Sequence, residues 1–343
     1  MSYVKNPAIS ISRILGMLSV VLCHTIMYYT FIPGSDFLGQ FFGVGVHLFF
    51  FVSGYLYGGK TVTSFRTWYA TRFLTVSFPA MLVSIVVMTL LLIFGIAVSA
   101  NTFVVYALDL EGILFLNSKV LSFFDETAPL GHLWFTTIIM FCYLLIPVLQ
   151  KVPFSSSRKT HTPFIVTLLL VGIGVCYITF SFFNMTFFFL FVIAYFLGKA
   201  QFLNNIRFKF LLTYTLVFVT AIIVRLILRQ YIDGTSLYSF YVAISNYVLG
   251  TWPVFMLAYL HHKFPKFIHA IAEHRITKWL DNYSFYIYLS HALFCDKKIL
   301  NLYGTHPLWL ATIIFCASTI FTAIITKWIC DALTKPLLTK LKA

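Results

Sequence analysis

Arg13-Ile-Leu-Gly-Met-Leu-Ser-Val-Val-Leu-Cys-His24 lies inside the first long apolar run of the chain. Eleven residues separate its two ionisable side chains. Eleven helical steps make three turns plus about 20°, so both point from one face. They stand roughly 16 Å apart along the axis, about half the thickness of bilayer hydrocarbon. One face of a spanning helix thus carries a permanent cation at one depth and an imidazole at another. Ionisable groups at such depths mark functional sites by default. Arg13 has an alternative reading, because it sits close enough to the helix end to snorkel to the headgroups. His24 is too deep for that.

The rest of the chain supports the membrane reading. Of 343 residues, 60% are hydrophobic and only 10% charged. Apolar runs continue from end to end, so the expectation is one membrane domain over 1–343, all-α, a polytopic helical bundle. The start has a run long enough to span and no small-residue cleavage site, so it does not read as a cleavable signal peptide. A net charge of +14 would point a soluble protein towards nucleic acid. Here the basic residues fill short loops between apolar runs, as the positive-inside rule requires, and the partner is the lipid bilayer, with no nucleic acid. The six cysteines are scattered through apolar runs without metal-ligand or disulfide spacing.

Ten spans are expected, near 9–29, 41–58, 73–98, 132–149, 163–182, 187–198, 210–228, 239–260, 282–295 and 307–329. The fifth and sixth read as a tight pair or a re-entrant pair. Asp281 or Asn282 is placed to cap the ninth. The longest loop, 99–131, is acidic, with Asp109, Glu111, Asp125 and Glu126 against Lys119. With the N-terminus inside, seventeen Lys and Arg fall in inside loops and tails, four in outside loops and three within spans. That asymmetry predicts both termini in the cytoplasm.

This topology assigns depth. Arg13 falls near the cytoplasmic side. His24, His47, His132 and His291, from four different helices, all fall near the outer side. For any single histidine a satisfied core position is the simpler reading. Four at one level predict an aqueous pocket with acid–base capacity. No Cys or carboxylate joins them in sequence, and no HExxH-type spacing occurs, so no metal site is expected. Lys60, Arg66 and Arg72 lie on the cytoplasmic side with Arg13. Positive-inside orientation explains most such cations, but guanidinium groups also suit phosphates, so an anionic ligand entering from the cytoplasm is expected.

Four stretches together resemble the membrane-bound acyltransferase-3 family, which includes bacterial O-acetyltransferases of cell-surface polysaccharides. They are Arg13 to His24; Phe49-Phe50-Phe51-Val52-Ser53-Gly54-Tyr55-Leu56; Gly131-His132-Leu133-Trp134-Phe135 leading to Tyr143-Leu144-Leu145-Ile146-Pro147; and Tyr286-Ile287-Tyr288-Leu289-Ser290-His291. Two positions depart from the family pattern. Thr75 stands where members often have a second Arg, and Ile138-Ile139-Met140 contains no Glu.

The resemblance implies transfer of an acetyl or other acyl group from acetyl-CoA to a sugar hydroxyl of an O-antigen, capsule or exopolysaccharide. It also implies the bacterial inner membrane as location. His24 is then the catalytic imidazole and Arg13 its motif partner. The coenzyme A phosphates fall to Arg13, Arg66, Arg72 and Lys60. His47, Ser53, His132, Trp134 and His291 are candidates to orient His24 or to bind the acceptor. His24 acts either as general base or as acyl carrier. Acetyl-CoA is a co-substrate, and no permanently bound cofactor is expected. The rival class is a polysaccharide or small-molecule exporter, which composition fits equally well. Against it, the halves of the chain show no convincing internal repeat.

Overall fold

The computed structural model describes residues 6–28, 34–116, 130–154, 158–180, 185–295 and 306–342. All regular structure among them is helical. In chain order the helices are α1 Pro7–Tyr28, α2 Ser35–Phe42, α3 Gly45–Gly58, α4 Phe65–Thr75, α5 Ser77–Ile93, α6 Ala100–Ala107, α7 Glu111–Leu116, α8 Trp134–Leu144 and α9 Ile146–Lys151. There follow α10 Arg158–Thr179, α11 Thr186–Lys199, α12 Phe208–Ile232, α13 Ser236–Lys263, α14 Pro265–Glu273, α15 Arg275–Ser290 and α16 Leu308–Lys342. Short 3-10 turns, Gly131–Leu133 and His291–Phe294, precede α8 and follow α15.

Eight helical stretches among the described residues are long and apolar enough to cross a membrane. They match eight of the ten expected spans. The other two are α11, apolar but only 14 residues long, and α15. The expected fifth and sixth spans form two separate helices, α10 and α11. The most apolar windows of α10 and α12 are only 11% and 17% buried. Their exposed faces carry Leu170, Val171, Leu216, Ile223 and Leu226. Helices so apolar on their outer faces need hydrocarbon around them, where their intrahelical hydrogen bonds satisfy the backbone. Asp125, Glu126, Lys119, Lys297 and Lys298 lie outside the described residues.

Two compact units, interleaved in sequence, are distinguished within the chain. Unit 1 comprises Met1–Ser19, Val44–Thr61 and Val148–Asn282; unit 2 comprises Val20–Gly43, Val62–Pro147 and Tyr283–Ala343.

In unit 1 the closest packing is α3 against α11. Gly54 and Gly58, one turn apart, make this possible. A Cβ on Gly58 would overlap the Tyr195 carbonyl, and one on Gly54 the Phe191 carbonyl. Small residues four apart let two membrane helices approach to backbone contact, where dispersion replaces the hydrophobic drive that lipid cannot supply. The Ser53-Gly54-Tyr55 segment singled out in the sequence is thus partly an architectural element. Unit 2 packs α7 on α8, α5 on α6, α4 on α5, and α16 on α4 and α5.

Gly58→Leu forces the α3–α11 backbones apart. Overpacking of this kind costs roughly 1–3 kcal/mol or more. The expected result is a lower melting temperature or loss of monodisperse protein in detergent, with Gly59→Ala as the tolerated control, since a Cβ there would meet only the Leu56 carbonyl, at an ordinary contact distance of 3.9 Å.

Candidate active site

Three of the four expected histidines meet in unit 2. His24 comes from the second half of α1. His291 opens the 3-10 turn after α15, and His132 lies in the turn before α8. His24 Nδ1 and His291 Nε2 are 2.7 Å apart. Their rings are nearly coplanar, at 14°, with centroids 5.0 Å apart. That separation is what an N···N contact plus two ring radii makes, so the rings meet edge to edge. The His132 ring stands at right angles to both, 6.1 Å from His24 and 5.1 Å from His291. His132 and His291 are buried, and His24 is half-buried.

The partners assign the tautomers. A helix leaves the carbonyls of its last turn without intrahelical donors. At the end of α15 two of these oxygens meet histidines. His291 Nδ1 is 2.6 Å from Tyr288 O, and His132 Nε2 is 3.3 Å from Leu289 O. A carbonyl only accepts, so both nitrogens carry hydrogen and donate. Neutral His291 therefore presents a lone pair at Nε2. His24 must fill it with Nδ1–H, and the His24 Nε2 lone pair is then free for chemistry. The Tyr288 hydroxyl donates to His132 O, and its ring stands edge-on to His132 at 5.6 Å, which ties α15 to the His132 turn. Among the described residues no group of three or more His, Cys, Asp or Glu is arranged to hold a metal ion.

His47 belongs to unit 1. It is buried on α3 with its ring 4.8 Å from Phe187 and 6.3 Å from Tyr247, and neither ring nitrogen has a hydrogen-bond partner. Ser53 is half-buried on α3, and Trp134 is half-buried at the start of α8. Lys60 is exposed beyond α3, 5.9 Å from the Tyr57 ring centre. Arg66 is exposed and Arg72 half-buried on α4.

Arg13, in unit 1, makes a contact that the sequence did not announce. Its Nη2 lies 2.6 Å from Asp281 Oδ1. The expected cap at the start of the ninth span is Asp281 or Asn282. The helix instead begins at Arg275, so Asp281 sits within it and turns an enclosed carboxylate on Arg13. The Asp281 side chain is 4% exposed and that of Arg13 35%. Both line a polar cavity of about 420 Å³ with Ser10, Glu273, Lys278 and Asn282. Lys278 is itself 2.5 Å from Glu273, so the cavity balances two cations with two carboxylates.

Sequence reasoning also passed over a second carboxylate pair, read there only as loop charge. Asp109 and Glu111 are 5% and 3% exposed, in unit 2 and outside the spanning segments. Burial pushes the Asp109 carboxyl up to about 7, against hydrogen bonds from Ser77, Thr136 and Thr137 that lower it. Burial and then the neighbouring Asp109 charge hold Glu111 well above its ordinary range. The available signal was position, two carboxylates one residue apart beside apolar runs. Arg225, one of the three cations counted within spans, is fully buried and donates to Asn246 Oδ1 at 3.0 Å.

A family model described as an acyltransferase domain matches residues 6–328. The chain belongs to the acyltransferase-3 family. It is a multi-pass membrane acyltransferase. No curated protein and no solved structure matches the chain. The matched segment contains every residue of the histidine cluster and the Arg13–Asp281 pair.

Two stability measurements test this acyltransferase site. Arg13→Met leaves the enclosed Asp281 without its cation and lowers the melting temperature. Adding Asp281→Asn recovers part of the loss. The double-mutant cycle should give a coupling of about 0.5–2 kcal/mol, reduced because Arg13 is partly exposed. The second concerns pH. The folded chain holds the Asp109 proton more tightly than the unfolded chain, so its stability contribution is full below pH 3.8 and is lost as pH rises through about 7. Asp109→Asn should flatten that decline in a series of thermal melts.

Proposed function

We propose that this acyltransferase moves an acetyl group from acetyl-CoA to a sugar hydroxyl of a bacterial cell-surface glycan. It would work as a multi-pass protein of the inner membrane with both termini cytoplasmic. The observation that carries the reading is the His24–His291 hydrogen bond, backed by the Tyr288 carbonyl. It fixes the His24 ring and leaves Nε2 as the base.

The steps balance without another reagent. The acceptor hydroxyl gives its proton to His24 Nε2 as its oxygen attacks the thioester carbonyl. The C–O bond forms, the C–S bond breaks, and the proton passes from His24 to the departing sulfur. While His24 is an imidazolium, its Nδ1–H bond to His291 strengthens, because the donor is then charged. The partial negative charge at the C-terminal end of α15 favours that state. Arg13, Lys60, Arg66 and Arg72 are the proposed contacts of the coenzyme A phosphates. His132, Trp134, His47 and Ser53 are the proposed acceptor contacts. Arg13 is also assigned to catalysis as the motif partner of His24.

The test is loss of acetyl-CoA thioester in purified protein supplied with mixed bacterial surface glycans. Wild type should release coenzyme A and label a glycan. His24→Ala should lose transfer by at least about 100-fold while remaining folded. His291→Ala should lower kcat more than KM, because it loosens the base without touching donor affinity. Full activity in His24→Ala overturns the assignment.

A further inference from the structure

Unit 1 also holds an apolar cavity of about 270 Å³ among α3, α10, α11, α12 and α13. Its inner wall is made of buried side chains, among them Phe51, Leu190, Ile193 and Phe255. Its outer edge is formed by Val166 and Leu169 of α10, which are 48% and 36% exposed. The lining runs from 162 to 169 on α10, 190 to 197 on α11 and 247 to 255 on α13. Those stretches cover roughly 10–12 Å along the helices. The cavity is therefore a slot, open sideways where α10 meets hydrocarbon.

Three hydroxyls on its walls have their hydrogens committed elsewhere. Thr251 donates to the Tyr247 carbonyl at 2.6 Å, so Tyr214, whose hydroxyl is 2.6 Å from Thr251 Oγ1, is the donor of that pair. The Tyr247 hydroxyl donates to Thr186 O. The remaining one, Thr162, stands at the exposed edge. Water in a cavity needs two to four polar partners, and an apolar cavity of about 150 Å³ stays dry and binds benzene. An empty slot also forfeits the dispersion contacts of its lining. Beside a bilayer, the material at hand to restore them is hydrocarbon.

One end of the slot is strongly basic. Phe164 of α10 lies 4.8 Å from Phe196 of α11, and Phe202, in the 3-10 turn Phe202–Asn205, lies 5.1 Å from Phe210 of α12. The start of α10, the end of α11 and the start of α12 thus share that end. It carries Lys199, Arg207 and Lys209. The Lys199 ammonium is 3.4 and 3.2 Å from the Leu149 and Val152 carbonyls and 5.8 Å from the Phe196 ring centre. Two carbonyls use two of its three hydrogens. Arg207 and Lys209 are exposed. Among the described residues none of the three makes an ion pair, and no Asp or Glu occurs between 127 and 232.

Cations without a counter-charge at the mouth of an apolar slot fit a hydrocarbon chain that ends in an anionic headgroup. Length narrows the choice. Each leaflet supplies about 15 Å of hydrocarbon, so a slot of roughly 10–12 Å takes a chain that stays within one leaflet. We propose that this cavity binds one acyl chain of an anionic phospholipid, with the lipid phosphate facing Lys199, Arg207 and Lys209. With both termini cytoplasmic, the lipid comes from the cytoplasmic leaflet. The site itself depends neither on that orientation nor on the acyl-transfer reading. The bound chain fills the gap between the lipid-facing α10 and the packed core of α3, α11 and α13.

The test uses the full chain purified in detergent, with bound lipid counted by native mass spectrometry as phosphatidylglycerol or phosphatidylcholine is added. Wild type should retain one phosphatidylglycerol per chain and prefer it over phosphatidylcholine by at least about fivefold, the effect of a single cation at a lipid surface. Leu169→Trp fills the slot from its edge and should weaken retention by at least about tenfold, the equivalent of two buried methylenes. Leu216→Trp, on the exposed face of α12 outside the slot, should stay within about twofold of wild type. Arg207→Gln combined with Lys209→Gln should abolish the preference between the two lipids while a lipid stays bound. A phosphatidylglycerol carrying a diazirine in mid-chain decides the matter if Leu169→Trp fails to fold. Its cross-links should fall on the α10 and α11 residues that line the slot and be competed by unlabelled phosphatidylglycerol. No retained lipid, retention unchanged in Leu169→Trp, or cross-links spread evenly over the outer faces of α10 and α12 overturns the proposal. Stronger competition by a polyprenyl phosphate than by phosphatidylglycerol gives the slot to the tail of a lipid-linked sugar and overturns it as well.

Discussion

The last turn of α15 is the constraint on which the site depends. A helix must end with carbonyls that its own amides cannot reach, and in a bilayer no water stands ready to satisfy them. Tyr288 and Leu289 present two such oxygens, and His291 and His132 satisfy them. The same bonds that relieve the helix end fix which nitrogen of each ring carries hydrogen. His24 inherits its orientation from that choice. Structural necessity at a helix terminus and chemical necessity at a base are therefore met by the same atoms.

Much of the architecture was legible in the residues. Apolar runs located the eight stretches that are long and apolar enough to span, because twenty apolar residues in a row admit few alternatives. Arg13 and His24 stood out because charge and imidazole are costly at membrane depth. His291 and His132 were placed at one level by topology, and they do meet His24. His47 shares that level in the count and lies in unit 1, buried among aromatic rings. The start of α15 was missed. Arg275-Ile-Thr-Lys-Trp-Leu-Asp281 is too polar for a hydropathy reading, yet it is helical, and this turns Asp281 from a cap into the partner of Arg13.

The two carboxylates at 109 and 111 show where such reading stops. In sequence they belong to an acidic loop, which ordinarily means solvent. Their burial depends on Gly112 fitting against Thr137 and the Trp134 carbonyl, and on Thr136 and Thr137 turning hydroxyls towards the loop. Those are contacts across some 25 residues of chain between side chains with no periodic signature. Charged groups acquire their meaning from their neighbours, and neighbours of this kind appear only in three dimensions.

The glycine face of α3 has a consequence for how the chain is made. Gly58 and its partner Tyr195 are separated by more than a hundred residues of intervening helices. At ordinary synthesis rates of about 5–20 residues per second, α3 waits roughly ten seconds in the bilayer before α11 emerges. During that interval its bare glycine ridge lies against lipid tails, which cannot follow the backbone as closely as another helix can. The nascent protein thus carries an open seam whose closure needs a late-arriving helix. Any chain halted between α3 and α11 would expose the same ridge to neighbouring proteins, which makes this seam a natural place for quality-control factors to recognise an unfinished copy.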